Sequence, residues 1–107
     1  MIETSTYPDG VVRLSPRGDL DWISARALRH AVNDVINPRL RVELDLQHVM
    51  SVDAVGISAL LGSVRLIRSL GGEARVCNMS KPVRSRFEML GIDVRSFSAT
   101  SAWGDAA

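Results

Sequence analysis

The sequence has a single cysteine, Cys77, so it can form neither an intrachain disulfide nor a zinc site built from thiolates. It has no long apolar run, because its longest nearly apolar stretch, residues 54–61, is far too short to cross a bilayer. No basic segment followed by an apolar one opens the chain, so a secretory signal is not expected. A net charge of +1 provides no strong field that would attract nucleic acid or an anionic membrane. These absences favour a cytoplasmic protein that neither inserts into a membrane nor binds nucleic acid.

The composition is that of a folded domain. Of the 107 residues, 46% are hydrophobic and 23% are charged, which is typical of globular proteins and leaves room for one core. We expect a single domain over residues 1–97 and a flexible tail over residues 98–107, in which Trp103 is the one large apolar residue.

Turn residues and periodic patterns divide the domain into strands and helices. Residues 2–17 predict a β-hairpin around Pro8-Asp9-Gly10. Asp21 or Ser24 can cap a first helix, which ends before Asn37-Pro38. The apolar positions of this helix recur every four residues and are expected to face inward: Ile23, Ala27, Ala31 and Val35.

The middle of the chain predicts a strand, a loop and a second helix. Residues 40–46 alternate strictly, so we expect a half-buried strand with its charged side chains, such as Glu43 and Asp45, on the open face. Residues 48–55 are expected to form a loop. The second helix stops at Leu70, and its inward stripe consists of Ile57, Leu60, Leu61, Val64 and Ile67.

The last part of the domain predicts a strand over residues 73–78, a third helix and a short strand over residues 94–97. Ser80 can cap this helix, and Gly91 ends it. Pro82 lies in its first turn, and its inward residues are Val83, Phe87 and Leu90.

The predicted order is strand, strand, helix, strand, helix, strand, helix. Strands joined through a helix favour right-handed parallel crossovers, while the opening hairpin adds an antiparallel pair. We therefore predict an α/β fold, a single domain with a mixed four- to five-stranded β-sheet and helices packed on one face. The other face would be open to solvent or to a partner.

The segment from Gln47 to Gly56 is the candidate site, because binding sites in such sheets lie at the carboxyl ends of strands and near helix N-termini. It places the apolar side chains of Met50, Val52 and Val55 beside the carboxylate of Asp53. Exposed apolar groups around one charge indicate an interface. Alternatively, the apolar residues turn inward and Asp53 only caps the helix.

Enzymatic interpretations have weaker support. Gly56-Ile57-Ser58 follows a strand and opens a helix, as a nucleophile elbow does, but the closing glycine is missing. The glycines fit neither a phosphate-binding loop nor a dinucleotide fingerprint. His30 and His48 are too few for a metal centre, and Cys77 is better explained as an inert thiol. We expect no catalytic residue, no cofactor and no metal.

Several motifs resemble the STAS domain family in the family's own order. Gly18-Asp19-Leu20-Asp21 with Ser24-Ala25 is similar to the Gly-Glu-Leu-Asp and Thr-Ala that end the family's second strand. Residues 42–46 resemble its central strand, and residues 53–57 fall where it has Asp-Ser-Ser/Thr-Gly-Leu. The remaining matches are Gly71-Gly72, Pro82-Val83, Phe87 and Leu90-Gly91. The resemblance covers residues 10–95.

The resemblance implies a STAS domain of the anti-sigma factor antagonist type, without catalysis of its own. Such proteins regulate transcription by binding a serine kinase that also serves as an anti-sigma factor, which frees the sigma factor. In those relatives the serine directly after the aspartate is phosphorylated, and its charge disrupts docking. The implied partner-binding residues here are Met50, Ser51, Asp53, Ala54, Val55, Gly56 and Ser58.

Ala54 stands at the position of the family's phosphoserine and has no hydroxyl. Either the protein binds its partner constitutively, as we hypothesise, or it is switched at Ser51 or Ser58, or it belongs to another STAS branch. Two alternatives stay open: a STAS subunit of a lipid-import ABC transporter, and a module that senses a small anion at the helix start by Gly56. We expect a monomer or a weak dimer.

Overall fold

The computed structural model describes residues 2–93, which contain six strands and three helices. The predicted order of elements is present, with two short additional strands inserted into it. The strand predicted at residues 94–97 and the tail at residues 98–107 lie outside the described residues. In chain order the elements are β1 (Ile2–Thr6), β2 (Val12–Pro16), β3 (Gly18–Leu20), α1 (Trp22–Val35), β4 (Arg41–Asp45), β5 (Val49–Val52), α2 (Ala54–Ser69), β6 (Glu73–Cys77) and α3 (Lys81–Met89).

Four of the strands form a mixed sheet in the order β1-β2-β4-β6. β1 and β2 are the predicted antiparallel hairpin, and the N–H of Tyr7 closes it by donating to the carbonyl of Val11 at 2.8 Å. The turn requires a residue at φ +89°, which Gly10 adopts without strain. β2, β4 and β6 are parallel neighbours joined through helices. The predicted α/β class and mixed sheet are confirmed.

The core lies between this sheet and the helices α1 and α2. Leu14, Leu44 and Val76 stand side by side on three neighbouring strands and are buried. Each large aliphatic side chain buried here contributes about 1.5–3 kcal/mol. The helices cover this layer with Ala25, Leu28 and Val32 from α1 and Ile57, Leu60, Val64 and Ile67 from α2.

The prediction for the inward face of α1 is wrong for Ile23 and Ala27, whereas Ala31 and Val35 pack against the core. Ile23 is 59% exposed, Ala27 is exposed, and Ala31 and Val35 are only half-buried. The core instead receives the set that begins at Ala25. Both sets follow helical spacing, so periodicity alone does not distinguish them. The predicted cap is confirmed, since the carboxylate of Asp21 accepts hydrogen bonds from the first turn.

The charged face of β4 is buried, which corrects the expectation that it is open. Glu43 and Asp45 are 6% and 2% exposed. The sheet register places Glu43 between Arg13 on β2 and Arg75 on β6. Arg13 pairs with Glu43 at 3.2 Å and with Asp45 at 3.1 Å, and Arg75 pairs with the other oxygen of Glu43. Buried charges are tolerated because they neutralise one another in this way.

β3 and β5 form a separate two-stranded parallel sheet, so the expected loop over residues 48–55 is wrong. α3 packs against β5. The hydroxyl of Ser80 donates to the carbonyl of Val49 at 2.7 Å instead of capping α3, although Ser80 does occupy the N-cap position. Val83 and Phe87 are buried as predicted, whereas Leu90 is 51% exposed and does not face inward.

Candidate functional site

The candidate site lies where β5 ends and α2 begins, with Asp53 as the only residue between them. Asp53 is half-buried, and its carboxylate accepts a 2.8 Å hydrogen bond from the N–H of Gly56. This bond satisfies one of the free amides of the first turn and fixes the direction in which α2 leaves the strand. Asp53 therefore positions the site as a helix cap.

The predicted site residues divide into exposed and buried sets. Met50 is 73% exposed and Val55 is 42% exposed, so these two do not turn inward. Val52 is buried, as the alternative interpretation expects for all three apolar residues. Ser51, Ala54 and Ser58 are exposed, and Gly56 is buried.

Gly56 allows a close approach between α2 and β3. A Cβ at this position would overlap the carbonyl oxygen of Leu20 and would lie 2.8 Å from Cγ2 of Val52. The N–H of Gly56 already donates to Asp53, so it is not available to a free anion. This contact removes the donor that the anion-sensing alternative requires at Gly56.

A second unit of the same construction stands beside the first. β3 leads into α1 through Asp21, as β5 leads into α2 through Asp53. Asp21 accepts from the N–H groups of Ile23 at 3.0 Å and Ser24 at 3.1 Å. Because Leu20 pairs with Val52 in parallel register, the N-termini of both helices lie side by side.

This pairing brings Trp22 into the site, which sequence reasoning did not identify. Trp22 is the first residue of α1 and is 60% exposed. An α-helix turns by about 100° per residue, so residues eleven positions apart lie on the same side. Trp22 therefore lies on the side of α1 that carries Asn33. Val55 likewise lies on the side of α2 that carries Leu66. Asn33 and Leu66 line the groove between the two helices. We call the exposed apolar residues Trp22, Met50 and Val55 the docking patch.

Charged groups of both signs lie on the elements that carry the docking patch. Asp19 is the middle residue of β3, and Asp21 and Asp53 are the two helix caps. Arg86 of α3 donates to the carbonyl of Val52, directly before Asp53. Hydrogen bonds from the backbone of Ser24 and Ile23 lower the pKa of Asp21, although partial desolvation opposes them. Asp21 therefore stays negatively charged at neutral pH.

The two serines near Ala54 differ in their surroundings. The hydroxyl of Ser51 donates to the carboxylate of Asp19 at 2.7 Å, so a phosphate at Ser51 would meet a negative charge. Ser58 is the fifth residue of α2 and lies just beyond the first turn in which it was expected. Ala54 occupies the first helical position and is exposed.

Cys77 lies on the buried polar face of the sheet and is half-buried. Burial, together with the nearby carboxylates of Glu43 and Asp45, raises its pKa to about 11. The thiol therefore stays protonated at neutral pH and is a poor nucleophile. Across residues 2–93, no group of three or more His, Cys, Asp or Glu side chains is arranged to hold a metal ion. None of the helices in this part of the chain is both long and apolar enough to span a membrane.

Comparisons with known proteins show which sequences and structures this chain resembles. The sequence model of the STAS domain matches residues 4–102. The chain is 32% identical over 84 residues to the anti-sigma F factor antagonist of Paenibacillus polymyxa, covering 77% of this chain and 70% of that protein. It is 23% identical over 94 residues to the anti-sigma-B factor antagonist of Bacillus subtilis, covering 87% and 86%. The crystal structure of an anti-sigma factor antagonist from Mycobacterium paratuberculosis matches with a TM-score of 0.74 at 25% identity, covering 99% of this chain and 89% of that one.

Proposed function

This chain belongs to the STAS domain family, and from that premise we propose that it regulates transcription as an anti-sigma factor antagonist. It binds an anti-sigma factor of the serine kinase type in the cytoplasm and performs no catalysis of its own. The relatives named as anti-sigma factor antagonists support the general role. The residues of this chain support the place and the mode of binding.

The docking patch is the observation that carries the proposal. Trp22, Met50 and Val55 are 60%, 73% and 42% exposed on elements that the paired strands β3 and β5 hold together. Large apolar side chains grouped on a surface mark interaction sites, and tryptophan is enriched among the residues that dominate binding energy. The caps Asp21 and Asp53 fix the helix starts, so little conformational freedom is lost when the partner docks.

Ala54 makes the binding constitutive. Its side chain lies exposed at the first position of α2, directly after Asp53. A phosphate at this position would add about −1.5 to −2 charges beside the Asp53 carboxylate and within the patch. Alanine accepts no phosphate, so the partner's kinase activity cannot release the complex at this residue.

The proposal is tested with the partner captured from native cell extract and identified by mass spectrometry. We expect a kinase-like anti-sigma factor. Calorimetry then compares the wild type with Val55→Lys and with the control Leu70→Lys, an exposed leucine just past the far end of α2. A charge in the apolar contact weakens affinity about tenfold or more, whereas the control leaves affinity unchanged. Equal affinities for Val55→Lys and the wild type would exclude the docking patch, and a captured transporter ATPase would favour the ABC transporter alternative.

A further inference from the structure

β1 is an edge strand of the four-stranded sheet. In the order β1-β2-β4-β6 it has β2 as its only neighbour among the described residues. Four of its five residues are exposed, and Ile2 is half-buried. An edge strand presents unpaired N–H and C=O groups that another strand can use.

The hairpin geometry shows which backbone groups face the open edge. The N–H of Tyr7 donates to the carbonyl of Val11, so Tyr7 directs its backbone groups toward β2. In an antiparallel pair this direction alternates along the strand. Glu3 and Ser5 therefore also bond to β2, and the backbone groups of Ile2, Thr4 and Thr6 point outward.

β1 carries almost none of the features that prevent an edge strand from pairing with a strand of another molecule. Natural edges are blocked by proline, lysine, bulges or inward-pointing charges. The register from Ile2 opposite Pro16 to Thr6 opposite Val12 is continuous, and β1 contains neither proline nor lysine. Its one charge, Glu3, is neutralised by Arg17 at 2.6 Å.

α1 presents an apolar stripe next to this edge that its own chain covers only in part. Ile23 and Ala27 are exposed, and Ala31 and Val35 are half-buried at the margin of the core. Three of the four line an open groove between α1 and β1. The groove has a volume of about 520 Å³, and its lining consists of Ile2, Thr4, Ala27, His30, Ala31, Asp34 and Val35. Apolar side chains that stay partly or fully exposed beside an open strand edge indicate a surface that another molecule can cover.

We propose that a second copy of this chain covers this surface, with the two β1 strands paired antiparallel across a twofold axis at Thr4. The two four-stranded sheets then form one continuous sheet, and the α1 helix of each copy approaches the groove of the other. A twofold contact of this kind uses the same surface on both copies and closes without further growth.

The sequence of β1 fits this register better than its neighbours. With the axis at Thr4, all outward-facing residues find partners, since Thr4 meets Thr4 and Ile2 meets Thr6 of the second copy. Glu3 then lies opposite Ser5. An axis at Glu3 would place two carboxylates opposite each other, and an axis at Ser5 would leave Ile2 without a strand partner. Cross-strand threonine pairs favour the first arrangement, and like charges disfavour the second.

Analytical ultracentrifugation of the full chain over a wide concentration range tests the proposal. We expect a monomer–dimer equilibrium for the wild type and for Thr4→Val. Thr4→Pro removes an N–H that faces the open edge and not β2, so the hairpin remains and the dimer dissociation constant rises about tenfold or more. A wild type that stays monomeric at every concentration, or a Thr4→Pro variant that dimerises as well as the wild type, would overturn the proposal.

Disulfide trapping tests the register without relying on proline. Glu3→Cys and Ser5→Cys are prepared separately in a Cys77→Ser background and then mixed and oxidised. Positions opposite each other in a non-hydrogen-bonded pair are close enough to be bridged, whereas the diagonal distance of about 7–8 Å is too long. We expect a covalent dimer in the mixture and little in either variant alone. An equal yield in all three samples would contradict the register.

Discussion

Gly56 in α2 and Leu20 in β3 approach so closely that no side chain fits at residue 56 without moving the backbone of β3. The contact joins the two strand-to-helix units on which the docking patch lies. A glycine at this position therefore has a defined structural purpose, which is to hold the starts of α1 and α2 side by side.

Gly56→Ala should lower the free energy of unfolding by about 2 kcal/mol, since an added methyl group in a closely packed contact forces the backbone apart. Gly62 is the matched control, because it lies in the same helix and a Cβ there would meet nothing within 4 Å. Gly62→Ala should raise stability by about 0.5–1 kcal/mol. Urea unfolding measures both, and equal effects of the two substitutions would contradict the assignment.

Trp22→Ala should weaken partner binding by about 2 kcal/mol while changing stability by less than about 0.5 kcal/mol, because Trp22 is exposed in the free protein. Ile23→Ala is the matched control: Ile23 is equally exposed at 59% but lies on the side of α1 that faces β1 and not α2. Its affinity for the partner should equal that of the wild type. Calorimetry with the captured partner measures both affinities. A larger loss of affinity for Ile23→Ala than for Trp22→Ala would show that the partner binds the other side of α1.

The buried ion pairs among Arg13, Glu43, Asp45 and Arg75 form a charge row across the sheet. This charge row should make the free energy of unfolding depend on pH in the acid range. Burial alone would raise the pKa of Glu43, but hydrogen bonds from Arg75 and Arg13 outweigh it and lower the pKa. The stabilisation is therefore complete above the ordinary glutamate pKa of about 4.3 and is lost as pH falls through the lower folded-state pKa.

Glu43→Gln should cost about 3–5 kcal/mol at pH 7, because it removes the buried carboxylate that pairs with both Arg13 and Arg75. It should also reduce the slope of stability against pH below about pH 5. Glu3→Gln is the control, since its pair with Arg17 is exposed and should contribute less than about 1 kcal/mol. Urea midpoints between pH 3 and pH 7 check both statements. If the two substitutions cost the same, the account of the row is wrong.

Cys77 should react slowly with iodoacetamide in the native protein near pH 8, because burial and the neighbouring carboxylates raise its pKa to about 11. Labelling should become fast in urea, where the pKa returns toward about 8.5. Intact-mass spectrometry follows both rates. Fast native labelling would show that the thiol is open and ionised.

Much of the fold could be predicted because its signals are local. The hairpin turn, the strand at Glu73–Cys77 and the end of α2 before Gly71 follow from turn residues and periodicity. β5 could not be predicted in this way, because Val49 and Val52 are buried while Met50 and Ser51 are exposed. This pattern does not alternate, and the register of β3 with β5 is itself irregular between Gly18 and Asp19.

The features that sequence reasoning missed depend on which strands are neighbours. The alternating pattern of β4 predicts that Glu43 is exposed to solvent. No local sequence signal shows that Arg13 and Arg75 flank it in the sheet. Trp22 joins the site only because Leu20 pairs with Val52. The sequence offered one indication of this role: Trp22 directly follows the cap Asp21 and is not among the inward-facing residues of α1. Met50 and Val55, by contrast, could be identified from the sequence because they lie between β4 and the body of α2.

Constitutive binding is tested by incubating the protein with the partner kinase and ATP, followed by intact-mass spectrometry and a binding measurement. The wild type should acquire no phosphate and keep its partner bound, because Ala54 offers no hydroxyl. Ala54→Ser should accept one phosphate and lose affinity as charge enters the docking patch. A phosphate on the wild type, or release of its partner when ATP is added, would contradict a permanently available docking surface.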